Sequence, residues 1–214
     1  MPNFTIPLEL LAITPDRADI SFTQLARAVA EAIQGGVSAV VFREKSLADD
    51  VFIRRAKELR KVVVDAGACF ILNERDHLLG EIEACALQLS FRSSPLSEVK
   101  KRYGANLPIG VSVHNPAEAQ KRAEAGADFL IYGPVFETPS KKGLVSLRGL
   151  DELESVCEHV TCPVVAVGGV DDSRAEAVAR TGAAGLAVMR FIFDAADPQQ
   201  AAVSLRRSWG HHGN

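Results

Sequence analysis

Gly126-Ala127-Asp128-Phe129-Leu130-Ile131-Tyr132-Gly133-Pro134-Val135-Phe136-Glu137-Thr138-Pro139-Ser140-Lys141-Lys142 decides how this chain is read. A glycine suited to closing a helix leads into four apolar residues. These run directly into a loop bearing two hydroxyls and two ammonium groups. Unbroken apolarity over 129–132 predicts a strand buried on both faces, as in a parallel sheet. The same beat recurs along the chain. Strands are predicted at 8–13, 39–42, 69–72, 86–89, 109–113, 129–132, 164–167 and 185–188. Amphipathic segments lie between them. Leu25, Val29, Ala32 and Ile33 share one helical face, and Phe52, Ala56, Leu59 and Val63 share another. Gly35-Gly36, Gly126 and Gly182 stand where helices end and strands begin.

Eight such units in 214 residues predict an α/β fold, a (β/α)8 TIM barrel in a single domain over 1–208, followed by a flexible tail at 209–214. The doubly wound sheet is the alternative. The first strand lacks a following Gly-x-Gly-x-x-Gly, which counts against a dinucleotide fold. A net charge of −3 argues against a broad nucleic-acid surface. No apolar run is long enough to span a bilayer, and no signal peptide is visible, so a cytoplasmic protein is expected. Cys69, Cys85, Cys157 and Cys162 are scattered and are read as reduced thiols. Oligomerisation is left open.

In a barrel, the groups that do chemistry stand at the C-terminal ends of the strands. Strand two ends in Arg43-Glu44-Lys45, strand three in Asn73-Glu74-Arg75, and strand four in Ser90-Phe91-Arg92-Ser93. Strand five carries Ser112 and His114. Strand six supplies Thr138, Ser140 and Lys141. Strand seven supplies Gly168-Gly169, and strand eight Met189-Arg190 before a short extra helix. Hydroxyls, cations and glycine N–H groups at these points suit a small phosphorylated metabolite. Each piece also has a plain reading. Arg43 and Lys45 can be solvated charges, Glu74 a partner of Arg75 or Arg92, His114 a structural histidine, and Asp171-Asp172-Ser173 a helix cap.

Val41–Lys45, Ile71–Arg75, Gly110–His114, Gly126–Lys142 and Val164–Val170 together resemble the thiamine phosphate synthase superfamily. It includes both the synthases and the TenI-like thiazole tautomerases. The resemblance implies a diphosphate held by Lys45, Asn73, Ser112, Thr138, Ser140 and Lys141. It implies a thiazole phosphate at Gly168, Gly169 and the strand-eight end. Three departures follow from it. The synthase's Gln-x-Arg-x-Lys glutamine is matched here to Phe42. Its two Mg²⁺-binding aspartates are matched to Glu74 and Ser93. The tautomerase histidine is matched to Pro134. Losing one carboxylate weakens a hard-cation site, so Mg²⁺ is expected only for a synthase, with Glu74 as the remaining ligand. The main reading is therefore TenI-like: a thiazole phosphate is bound, with His114 and Glu74 as candidate bases should it be tautomerised and Lys45 as a further catalytic residue. The alternatives are a synthase joining pyrimidine diphosphate to thiazole phosphate, and a non-catalytic phosphate-binding regulator. Lys141→Ala is expected to weaken pyrophosphate binding in isothermal titration, whereas an unchanged Kd would make this loop structural.

Overall fold

The computed structural model describes residues 6–90, 93–104, 106–137 and 149–210. Eight parallel strands close on themselves in chain order. They are β1 (Leu10–Ile13), β2 (Ala39–Phe42), β3 (Cys69–Asn73), β4 (Ala86–Leu89), β5 (Ile109–Val113), β6 (Phe129–Tyr132), β7 (Val164–Val167) and β8 (Gly185–Val188). This is the (β/α)8 barrel that the sequence predicts, and the doubly wound sheet is set aside. Strand β1 begins two residues later than its apolar pattern, and β3 runs one residue longer, pairing Asn73 with Gln88.

Both faces of each strand are buried, but against different neighbours. Leu11, Val41, Ile71, Phe129, Ile131 and Val165 fill the barrel interior. Their alternates, including Val40, Phe42, Phe70, Leu72, Leu130 and Tyr132, face the surrounding helices. Those helices are α1 (Phe22–Gln34), α2 (Asp49–Asp65), α3 (Leu96–Tyr103), α4 (Pro116–Glu124), α5 (Gly149–His159), α6 (Ala175–Ala179), α7 (Arg190–Phe193) and α8 (Pro198–Trp209). Helix α2 buries all four residues of its predicted face, Phe52, Ala56, Leu59 and Val63. The Phe52 ring centroid lies 4.8 Å from that of Phe42. Such an aromatic pair contributes about 0.5–1.5 kcal/mol beyond its buried area. Ser21 begins α1 with a capping box, its side chain and Gln24 satisfying each other's backbone N–H. Gly36, Gly126 and Gly182 take φ of +106°, +88° and +79°, the left-handed turn needed between helix and strand.

All four cysteines are free thiols, Cys69 buried and Cys85 exposed. Among the described residues, no helix is long and apolar enough to cross a membrane. The barrel closes where β1 pairs with β8, Leu11 opposite Ala187. Close approach at this seam requires Gly185, since a Cβ there would lie 1.6 Å from the Leu8 carbonyl oxygen. Backbone cannot rotate out of the way as a side chain can. Gly185→Ala is therefore expected to destabilise the fold by at least the ~1–3 kcal/mol usual for overpacking, measured as a lower urea midpoint. An unchanged midpoint would show that the seam can shift to admit a methyl group.

Candidate active site

The inward parity of each strand carries on past its end. Two and four residues beyond Val41 come Arg43 and Lys45, two beyond Ile71 comes Asn73, and beyond Ala86 come Gln88 and Ser90. Ser112 and His114 follow Gly110, Gly169 follows Val167, and Met189 follows Ala187. All of these side chains or glycines line one cavity of about 850 Å³ at the C-terminal end of the barrel. Its size lies within the range of small-molecule sites. Of the sequence-predicted residues, Arg43, Lys45, Asn73, Ser112, His114, Gly168, Gly169, Met189 and Arg190 are brought together there. Thr138, Ser140 and Lys141 lie outside the described residues.

The loop after β1 positions the cations of β2. Thr14, fully buried, accepts the Arg43 N–H at 2.7 Å, and Asp16 accepts those of Lys45 and Ser46 at 3.1 and 3.2 Å. Glu44, between the two cations, points the other way. It is buried against Arg55 at 2.9 Å, and burial pushes its carboxyl up despite that partner. Among the described residues the Arg43 guanidinium forms no close ion pair, and its charge acts on the Glu74 carboxylate from a distance.

Glu74 and Arg75 both adopt left-handed backbone, with φ of 56° and 50°. This is uncommon for residues with a Cβ and concentrates at functional sites. The turn sends the two side chains apart. Arg75 reaches Asp49, stacks over the Phe52 ring at 4.3 Å and donates to the Leu47 carbonyl at 2.5 Å. Glu74 instead accepts from Lys45 Nζ at 2.9 Å and from the Ser90 hydroxyl. Of its two plain readings, the pairing with Arg75 is replaced by one with Lys45, and Arg92 lies outside the described residues. Burial pushes the Glu74 carboxyl up. The hydrogen bonds from Lys45 and Ser90, with the charges of Lys45 and Arg43, outweigh burial and hold it below the usual carboxylate range.

The loops after β6 and β7 form one unit. Val135 and Phe136 N–H groups donate to the Val167 and Gly168 carbonyls, both at 3.0 Å. Gly168 and Gly169 have φ of +98° and +65°. A Cβ on Gly168 would meet Pro134 at 2.6 Å, and one on Gly169 the Glu137 carbonyl at 2.5 Å. Loop packing by itself requires these glycines. Arg174 locks the unit, donating to the Gly169 carbonyl at 2.5 Å and lying over the Phe136 ring at 4.9 Å. Asp171 pairs with Ser173 and Arg174, and no side chain caps α6, which corrects the expected capping role of 171–173. At the β8 end, Arg190 donates to Asp194 at 3.0 Å, with Arg17 on the same carboxylate. His114 Nδ1 lies 2.5 Å from the Gly133 carbonyl. That contact assigns the ring proton to Nδ1 and leaves Nε2 as the other ring position. Pro134 lines the cavity beside it.

Two sequence matches change. Phe42 faces Phe52 and Phe70 on the outer side of the sheet. Counting back from Arg43, the motif's glutamine falls instead on Val41, which lines the cavity. The Mg²⁺ donors implied by the resemblance do not fit that ion. Glu74 is engaged by Lys45 and Ser90, and Ser93 is a neutral hydroxyl that accepts the Ser90 N–H at 2.9 Å. Among the described residues, no three His, Cys, Asp or Glu side chains are grouped to hold a metal. Thr14, Asp16, Gln88 and Arg174 were missed in the sequence. For Gln88 a signal existed: it breaks an apolar strand at an inward-parity position.

The closed parallel barrel is of the (β/α)8 class, and its cations, hydroxyls and glycine turns gather at the C-terminal mouth, where that class places its sites. The sequence profile of the thiamine monophosphate synthase family (TMP-TENI) matches residues 10–192, and the chain belongs to that family. A thiamine-phosphate synthase from Chloroflexus aurantiacus is 37% identical over 181 residues, covering 84% of this chain and 83% of that protein. One from Shouchella clausii is 33% identical over 199 residues, covering 93% and 95%. The solved thiamine phosphate pyrophosphorylase of Pyrococcus furiosus superposes with a TM-score of 0.87 at 30% identity, covering 97% of this chain and 98% of its own. A 3-hexulose-6-phosphate synthase structure, at 18% identity and a TM-score of 0.72, shares the fold.

The Lys45–Glu74 pair yields a pH prediction. Because the folded carboxyl is depressed, its pairing stabilises the protein above the ordinary carboxylate range, and this is lost as pH falls through the depressed value. Lys45→Met is expected to raise the Glu74 titration midpoint in carboxyl ¹³C NMR and to flatten the acid limb of stability. An unmoved midpoint would mean that Ser90 and Arg43 alone hold the charge.

Proposed function

We propose that this protein is a thiamine phosphate synthase, joining a pyrimidine methyl diphosphate to a thiazole phosphate with release of pyrophosphate. The observation that carries this reading is the name shared by relatives at 31–37% identity over most of the chain. It favours the synthase alternative over the TenI-like reading preferred from the sequence. Pro134 weakens that first reading further, because its ring has no proton to transfer at the tautomerase position.

In the reaction, the bond between the pyrimidine methylene and the diphosphate oxygen breaks, and the thiazole nitrogen supplies the electron pair of the new C–N bond. Negative charge grows on the leaving pyrophosphate. Preplaced cations and donors lower the barrier to such a step. Arg43, Lys45, Asn73 and Ser112 are assigned to that leaving group, with Thr138, Ser140 and Lys141 as the resemblance implies. Glu74 acts on Lys45, holding its ammonium at the cavity wall. Gly168, Gly169, Met189 and Arg190 are assigned to the thiazole phosphate. His114 lines the same cavity and is the base the tautomerase reading would use.

The donor set at Glu74 and Ser93 is the observation that keeps the TenI-like reading as the second. One assay separates the two. Purified protein given pyrimidine methyl diphosphate and thiazole phosphate is expected to form thiamine phosphate, and chelation of divalent ions is expected to cost little of that rate. No product, with conversion of a thiazole phosphate tautomer supplied alone, would overturn the synthase reading. Product that vanishes on chelation would keep the synthase and overturn the donor-set argument.

A further inference from the structure

Gln88 is the anomaly of the barrel interior. It stands on β4 among apolar inward residues and is 1% exposed. Its Oε1 is buried without a hydrogen-bond partner among the described residues. Leaving a buried carbonyl unpaired costs roughly 1–3 kcal/mol, so a purely structural filler at this position would be apolar. Neighbours make room for the amide. A Cβ on Gly110 would lie 2.5 Å from Oε1 and 2.2 Å from the Phe129 ring.

The other end of the amide is fully used. Nε2 donates to the Leu89 carbonyl at 3.2 Å and to Ser112 Oγ at 3.0 Å. A carbonyl can only accept, so the Leu89 contact fixes which end of the amide carries nitrogen. Ser112 Oγ therefore receives a hydrogen bond from below through one lone pair. No described residue accepts the Ser112 proton. The hydroxyl lines the cavity, with its O–H free to turn toward a ligand.

We infer that Gln88 is a positioning residue, whose amide holds the Ser112 hydroxyl as an acceptor so that its proton is donated to an anionic oxygen in the cavity. This rests on the reading of Ser112 as a diphosphate contact. A serine free of such a partner spreads its proton over three staggered positions and over competing acceptors. The amide removes that freedom and leaves a donor aimed at the cavity. The orphan Oε1 is the stability given up for it, as functional sites commonly show.

The test uses inorganic pyrophosphate as the probe, with Kd from isothermal titration and Tm from thermal unfolding. Ser112→Ala is expected to raise Kd about tenfold, the scale of a hydrogen bond to a charged group. Gln88→Met, close in shape but unable to donate, is expected to raise Kd roughly three- to tenfold with Tm unchanged or higher, since it removes the orphan carbonyl. The double variant is expected to bind no more weakly than Ser112→Ala alone, because the two act as one unit. Gln88→Glu keeps the side chain's length but accepts the Ser112 proton, and is expected to bind at least as weakly as Gln88→Met.

A lowered Tm with unchanged Kd in Gln88→Met would make Gln88 structural and overturn the proposal, leaving the diphosphate reading intact. Independent, multiplying losses in the double variant would also overturn it. An unchanged Kd in Ser112→Ala would overturn both the proposal and the assignment of Ser112 to the diphosphate. Should Gln88→Met fail to fold, wild-type affinity in Gln88→Glu overturns the proposal and weakened affinity sustains it.

Discussion

The pairing of β8 with β1 is the constraint on which the rest of the structure depends. Once the sheet closes, every strand has one face inside and one outside, and side chains alternate between them. Closure also fixes where each strand's inward parity emerges at the barrel mouth. Val41 delivers Arg43 and Lys45, Ile71 delivers Asn73, and Gly110 delivers Ser112 and His114. Eight strands far apart in sequence thus bring their ends around one cavity. An open sheet would spread the same residues along an edge. Gly185 admits the backbone contact that lets the last strand meet the first.

Charge at the mouth is arranged by a second layer of contacts. Asp16 and Thr14 hold the backbone that bears Arg43 and Lys45. Glu74, on a left-handed stretch of backbone, takes the Lys45 ammonium. On the opposite wall, the loops after β6 and β7 are joined by backbone hydrogen bonds and locked by Arg174. Residues 133–137 after β6 and the Gly168-Gly169 loop, which look separate in sequence, are one structure. Such rigid support matters because a preorganised charge stabilises a growing anion without having to move.

The family is shown by the profile and by relatives across most of the chain. By the resemblance read from the sequence, the wall around Gly168 and Gly169 keeps the motif, while Glu74 and Ser93 stand where it has two aspartates. The departure has a chemical sense. A carboxylate spent on an ammonium and a neutral serine make a poor site for a hard dication, yet they sit among cations that can meet a diphosphate directly. Gln88 belongs to the same wall and carries a buried carbonyl oxygen without a partner among the described residues.

Much of this protein was legible in the chain itself. Seven of the eight strand starts are visible because a strand buried on both faces leaves an unbroken apolar run, and the helical faces follow from a 3.6-residue period. The residues at the strand ends could be named, because a barrel puts function there. Partners could not be named, since they depend on which neighbours closure brings within a few ångströms. Glu74 could be read as a partner of Arg75 or of Arg92, but two left-handed residues point Glu74 and Arg75 apart and Lys45 takes the carboxylate. Phe42 was matched to the motif's glutamine, but the spacing back from Arg43 already points to Val41, and strand parity agrees, turning Phe42 outward and leaving Val41 inside. Apolar periodicity alone therefore determined the barrel and the ring of candidate groups. Only the tertiary structure decided which way each side chain faces and what it bonds, because parity, register and backbone handedness act between residues that lie far apart in the sequence.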